Sequence, residues 1–456
     1  MASQTTMVTD LTEGNVTKLL FRFAMPLLVS NALQAVYNLV DMVVVGQYIG
    51  GAGMSAVSIG GDILGLLTFI AMGFSSAGQV LIARDVGAER PDNIRKTIGT
   101  MFTFMLLCAV VISAICFAIR ENILKWLNTP AESYEYTMSY TLICSAGLVF
   151  IYGYNLVSAI LRGMGDSKRP FVFIAIAAIL NTILDILFVA VCGMSVAGAA
   201  LATVIGQGVS FAVSLIYLFR HREAFGFDFK PESFKIDREA LNRLVKLGVP
   251  MAIQSAAIHL SKIVLTSWIN MSGVVYSALC GIYNKVGLMS GIVSNSFTAA
   301  GSSMTGQNLG AGKLERIPII LRVVLICGLV IATVFSAILF VIPETVYALF
   351  TQDVAVLGAA AVLTLPSILN FYGSATRAVA FSLINGSGNT KLNLAVAIID
   401  GMISRIGIAA LLGFALGMGC QGFWCGDALA GFMPMVIGGC YYLSGKWKKA
   451  GREGKP

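Results

Sequence analysis

The sequence predicts an all-α integral membrane protein: twelve transmembrane helices in two six-helix, pseudo-symmetric lobes around a central cavity. Three observations carry this prediction. The 456-residue chain is 57% hydrophobic and only 12% charged. Its mean hydropathy of +0.82 lies far above that of a soluble globular domain. Its two halves also align with one another at a nearly fixed offset. A hydrocarbon core about 30 Å thick needs roughly 20 apolar residues per helix. Such stretches lie near residues 18–49, 54–82, 95–119, 134–160, 170–191, 195–219, 246–270, 275–304, 318–341, 354–383, 392–414 and 418–444. The first begins after a polar tail and has no small-residue cleavage site, so it reads as a retained helix and not as a signal peptide.

At an offset of 223 or 224 residues, Pro26 in "FAMPLL" falls on Pro250 in "LGVPMA", and "VGAERPDNI" (86–94) falls on "LGAGKLERI" (309–317). "RGMGDSK" (162–168) falls on "NGSGNTK" (385–391), and "GMSVAG" (193–198) on "GMGCQG" (417–422). Four matches in order argue for homologous halves, where one Gly-rich match would not. Each half holds an even number of spans, so both enter the membrane from the same side as parallel repeats, a plan of secondary transporters. The expected domains are an N-terminal lobe at 1–220, a cytoplasmic linker at 221–245 carrying Pro231 and many charges, and a C-terminal lobe with a basic tail at 246–456.

The net charge of +8 does not call for nucleic acid. With the N-terminus cytoplasmic, 26 of the 31 Lys and Arg fall on the cytoplasmic side, including those at 377–391. Arg120 and Lys125 fall on the far side, and Lys262, Lys285 and Arg405 lie within spans. That bias orients a multi-pass chain in the cell membrane with both termini cytoplasmic. The nine Cys form no CxxC pair and the two His lie far apart, so neither a zinc site nor a disulfide framework is readable. The Cys are assigned to packing.

Charged or strongly polar side chains inside spans are costly and face a cavity or a partner. In "NALQAVYNLVD", Asn31, Gln34, Asn38 and Asp41 are spaced to lie along one helix face, with Tyr37 beside them. The fifth span carries Asn181 and Asp185 four residues apart, and the sixth carries Thr203 and Gln207 with the same spacing. Two carboxylates, amide oxygens and a hydroxyl suit a hard cation such as sodium. They equally suit a carboxyl pair that shares protons. Tyr37, Asn38, Gln34, Asn155, Gln207, Gln254, Lys285 and Arg405 are the candidates to line a cavity or touch substrate. Pro26, whose helix lacks one backbone hydrogen bond, is the candidate hinge. The second half holds Lys262, Lys285, Asp400, Arg405 and Asp427, a mixture expected to neutralise itself in ion pairs. Asp62, near a span end, is expected to be solvated.

"RGMGD" contains the GxGD string of intramembrane aspartyl proteases, but Asp166 sits in a loop beside Arg162, Lys168 and Arg169, so a tight turn fits better. No P-loop, HExxH or fitting GxSxG is present. The chain does not read as an enzyme.

The duplicated plan, the Pro26/Pro250 pair, "YNLVDMVVVGQYIG", "RGMGDSKRP" and "VAGAALATVIGQ" resemble the multidrug and toxic compound extrusion (MATE) family, over essentially all the chain from Leu19 to Leu443. The resemblance implies a twelve-helix antiporter with two lobes around a V-shaped cavity. Such a protein exports amphipathic, often cationic compounds in exchange for sodium ions or protons, without a cofactor, and is expected to be monomeric. In the branch that keeps its cation site in the N-terminal lobe, the matching positions are Asp41, Asn181, Asp185 and Thr203. Other branches place a carboxylate on the first helix of the second lobe. There "VPMAIQSAAIHLSK" offers only Gln254, His259 and Lys262, which favours the N-lobe site. The alternative is a flippase of the same superfamily for a lipid-linked anion, drawing on Lys262, Lys285 and Arg405.

Overall fold

The computed structural model describes residues 9–452, and every regular element among them is helical. The outermost parts of both tails lie outside the described residues.

In the first half, the long helices are α1 (Val16–Ile49), α2 (Gly51–Gly87), α3 (Pro91–Trp126), the bent pair α4 (Ala131–Ala146 with Leu148–Gly163, 49° between its parts), α5 (Lys168–Val191) and α6 (Ser195–Arg220). The second half has α7 (Arg238–Asn270), α8 (Val274–Gly310), α9 (Arg316–Val341), α10 (Val354–Gly386), α11 (Thr390–Ala415) and α12 (Gly419–Leu443). Ten of these, and the bent α4 as an eleventh, are long and apolar enough to cross a membrane.

Helix α8 is as long as α2 but more polar. Ser290, Ser294, Ser296, Ser302, Ser303, Thr305, Gln307 and Asn308 are all buried along it. Several of them bond to the neighbouring α10: Ser294 Oγ donates to the Ser374 carbonyl at 2.9 Å and Ser302 Oγ to that of Phe381 at 3.3 Å. Gly386 keeps this approach close, because a Cβ there would lie 3.0 Å from the Ser302 carbonyl oxygen. Small residues and hydroxyls at the contact are how helices associate where the surroundings are as apolar as the side chains.

The chain divides into two compact units. The first holds Val29–Val86 and Arg90–Gly248. The second holds Asp10–Leu28, Gly87–Glu89 and the chain from Val249 onward. Helices α1 and α7 therefore each change unit part-way, at Leu28/Val29 and Gly248/Val249, within a few residues of Pro26 and Pro250. In the second unit, Leu11, Leu20, Phe23 and Leu27 pack with Phe297, Met304, Ile320 and Leu383 in one apolar cluster.

The backbone carries the duplication at positions that sequence matching reached only in part. Left-handed turns recur at the same offset: Gly50 (φ 81°) and Gly273 (105°), Glu89 (53°) and Gly312 (72°), Gly165 (84°) and Gly388 (66°), Gly193 (66°) and Gly417 (69°). Glu89 is the exception in holding this conformation with a side chain. The ends of α5 and α11 both widen to π-helix, at Ile186–Val191 and Leu411–Ala415.

The charged segment that follows α6 is folded against the first unit. Phe225 and Phe227 are buried, and Phe227 stacks on Phe102 of α3 with centroids 6.1 Å apart. Thr103 Oγ1 donates to the Phe234 carbonyl at 2.5 Å, and the Asp237 amide to Thr100 Oγ1 at 3.1 Å. Arg243 reaches Asp85 at 3.3 Å. Apolar side chains among the charges, at Phe225, Phe227, Phe229 and Phe234, turn a polar stretch into a docked one.

Candidate functional site

Three helices of the first unit bring four polar side chains to one buried point. Asp41 comes from α1, Asn181 and Asp185 from α5, and Thr203 from α6. Asp41 and Asn181 are each 2% exposed and Asp185 is fully buried. Thr203 Oγ1 donates to Asp41 Oδ2 at 3.3 Å. The Asn181 amide is satisfied when its Nδ2 donates to Asp41 Oδ1 at 2.9 Å and its oxygen accepts the Thr203 backbone N–H at 3.3 Å. The Asp41 and Asp185 carboxyls are hydrogen-bond partners. Asp185 Oδ1 has no partner.

This geometry has a chemical consequence. Donors converge on Asp41, while Asp185 keeps one buried oxygen open. Two ionised carboxyls in contact repel strongly, so the pair holds a proton or a cation between them. The ligand set is entirely oxygen, which fits sodium as well as a proton. Local structure fixes the approach. A Cβ on Gly206 would lie 3.1 Å from the Ala177 carbonyl and 3.4 Å from Asn181 Cβ, so glycine there lets α6 approach α5 closely. The π-helical turns begin at Ile186, directly after Asp185; such widened turns recur at functional sites.

The remaining first-half candidates are placed unevenly. Gln207 Nε2 donates to the half-buried Tyr37 hydroxyl at 3.5 Å, a long bond at the edge of the site. Gln34 and Asn31 are half-buried and Asn38 is exposed. The expected single face of α1 is thus graded in burial, from the buried Asp41 to the exposed Asn38. At 3.6 residues per turn the four residues span roughly 80° of arc, with Asp41 and Gln34 on one side and Asn31 and Asn38 on the other. Leu39 and Val43 are 57% and 48% exposed, as expected of an outward face. Asn155 donates to the Ile151 carbonyl at 2.8 Å within its own helix. Asp62 is exposed. Pro26 lies inside α1, which is helical on both sides of it.

Sequence reasoning missed Tyr140 of α4, a buried residue whose hydroxyl lies beside Thr203. A signal was available. Thr137, Tyr140, Thr141, Cys144 and Ser145 form a three-and-four-spaced polar stripe in a membrane span, all of them buried. Gly60 of α2 makes room for that ring, since a Cβ there would collide with it.

In the second unit the charges form ion pairs. Arg405 pairs with Asp427 and, at 3.4 Å, with Asp400; Arg377 pairs with Asp400 at 3.0 Å. Arg377, expected on the cytoplasmic side and within the span 354–383, lies inside α10 and is held there by Asp400. Tyr283 donates to Asp427 Oδ2 at 3.1 Å. Lys262 and Gln254 are half-buried, while Lys285 and His259 are exposed.

Asp166 closes a turn. Its Oδ1 accepts the Lys168 and Arg169 amides at 3.1 and 3.3 Å, and its carboxyl pairs with Arg169. Asn389, its repeat counterpart, accepts the Leu392 amide at 3.1 Å.

Two repeats of helices, each closing its fifth against its sixth through a buried polar contact, define a duplicated helical membrane transporter and not an enzyme. A family model described as MatE matches the chain once in each half, over residues 26–187 and 250–421. The chain belongs to the MatE family. It is 28% identical over 445 residues to the Bacillus subtilis (strain 168) "Probable multidrug resistance protein YpnP", covering 96% of this chain and 97% of the relative. To "Probable multidrug resistance protein YoeA" of the same organism it is 27% identical over 432 residues, covering 94% and 93%. Among solved structures, the fold matches "Outward-facing conformation of a multidrug resistance MATE family transporter of the MOP superfamily" with a TM-score of 0.90, at 20% identity over 99% of both chains.

Proposed function

We propose that the protein is a secondary active multidrug efflux transporter of the cell membrane. It exports small amphipathic, often cationic compounds in exchange for sodium ions or protons, by alternating access, as a monomer with both termini cytoplasmic. The names of the relatives support the export of drugs. The observation that carries the coupling site is the contact of the Asp41 and Asp185 carboxyls, buried and from different helices, with one Asp185 oxygen left open.

In this reading Asn181 and Thr203 orient Asp41, Asp185 admits the ion, and the exposed Asn38 with the half-buried Gln34 and Tyr37 offers polar surface to the substrate. Coupling requires that the ion and the drug prefer different conformations, since a ligand that binds two states equally shifts neither. Pro26, which has no backbone N–H to donate, lies on the same helix as Asp41, which makes α1 the carrier of that preference. The alternative of a lipid-anion flippase draws on Arg405, which two aspartates already occupy.

The test is dye efflux from proteoliposomes with sodium and pH gradients imposed separately. One of the two gradients is expected to drive efflux in the wild type, and neither in D41N or D185N. Full coupled transport in both variants would remove the reading.

A further inference from the structure

The two repeats differ at one matched place. The 224-residue offset sets Arg405 on Asn181 and Asp427 on Thr203, and it sets Leu265 on Asp41 and Ala409 on Asp185. The contacts follow the alignment. In the first unit Asn181 of α5 bonds to Thr203 of α6; in the second, Arg405 of α11 bonds to Asp427 of α12. Where the first unit has two touching carboxyls, Leu265 and Ala409 share one buried apolar cluster with Phe423 and Trp424. The second repeat has thus lost both acid positions, while its own acids flank a fixed guanidinium.

We propose that Arg405 is a tethered cation: its guanidinium permanently fills, in the second unit, the role that an exchangeable ion plays in the first, so the second unit takes up no coupling ion.

Arg405 is 3% exposed, Asp427 3% and Asp400 0%. Arg405 bridges these two carboxylates, and Arg377 supplies the second positive charge, which makes a neutral quartet. Asp400 Oδ2 is buried without a partner, a position a small cation could take if the guanidinium left. An arginine in this seat cannot dissociate and does not lose its proton in proteins. The other groups facing the quartet are Lys262 of α7 and Cys280 and Tyr283 of α8. Lys262 is the neighbour able to stand in for Arg405. Removing Arg405 therefore leaves Asp427 without its guanidinium and Asp400 with Arg377 alone, one buried negative charge in excess that then needs sodium or a proton.

The inference borrows its comparison from the coupling site assigned to Asp41 and Asp185, so the experiment is done with that site disabled. In purified D41N/D185N protein, the melting temperature is measured in sodium chloride and in choline chloride of equal ionic strength, at acid and neutral pH. This background is expected to be indifferent to sodium; if it still responds, the first-unit reading fails and not this one. Adding R405Q is expected to create a rise of a few degrees with sodium or with acid, and adding K262Q as well to enlarge it. R405K keeps a tethered charge and is expected to stay indifferent, as is R405Q/D427N, which removes both partners. Recovery of R405Q protein only in sodium or at acid pH is the same dependence read as yield. The proposal is overturned if R405Q and R405Q/K262Q are equally stable in every condition. It is likewise overturned if they are lost in every condition while R405Q/D427N folds.

Discussion

The contact between the fifth and sixth helices is built twice in this chain with different chemistry. In the first repeat Asn181 and Thr203 lend hydrogen bonds to Asp41, which meets Asp185, and one carboxyl oxygen stays open. In the second repeat the same two positions are Arg405 and Asp427, already paired, with Asp400 and Arg377 completing the charge balance. Each arrangement keeps one buried carboxyl oxygen unpartnered, but only the second already holds its acids in ion pairs with arginine. A duplicated scaffold can therefore keep one half for the ion and use the other as a fixed partner, while the turns that shape both halves stay alike.

This contrast can be broken at graded points. The largest effect is expected from D41N or D185N, each of which should bring gradient-driven dye efflux down to the level of empty liposomes while leaving inserted, folded protein. R405A comes next: leaving Asp427 buried without its arginine, while Arg377 still holds Asp400, should lower stability by about 3–5 kcal/mol in an unfolding titration. N181A, at the same place in the other repeat, should lose only about 1 kcal/mol. Between them lies Gly206→Val, which forces α6 away from α5 and should destabilise by about 1–3 kcal/mol while weakening ion dependence. T203A and Y140F should shift the ion concentration for half-maximal transport by roughly fivefold, the worth of about 1 kcal/mol. The smallest functional change is expected from D166A and N389A. Each should lose about 1 kcal/mol of stability through its helix start, equally in the two repeats, with coupling intact.

The spans, the duplication and the polar residues that meet in the first unit were legible in the sequence, because each rests on local spacing or on internal comparison. Asn181 and Asp185 share a face by their separation of four, and the left-handed turns at Gly165 and Gly388 sit in segments that match by eye. That Asp41 meets Asp185 was not legible: they lie far apart in the chain, and only the packing of α1 on α5 brings them together. Tyr140 was missed because a tyrosine in a span reads as packing until its partner is known. The partner of Arg377 was not legible either: spacing places this residue near the end of its span, and only the fold brings Asp400 beside it. Asn38 was grouped with Asp41 because a stripe of polar residues looks uniform until its two edges face different surroundings.

The most direct test of the coupling site is equilibrium titration of the purified transporter with sodium, by calorimetry at acid and at neutral pH. The wild type is expected to show either saturable sodium binding that weakens at acid pH as protons compete for the same carboxyls, or proton uptake without sodium binding, and whichever is seen is expected to vanish in D41N and in D185N. Unchanged sodium and proton dependence in both variants would contradict the account.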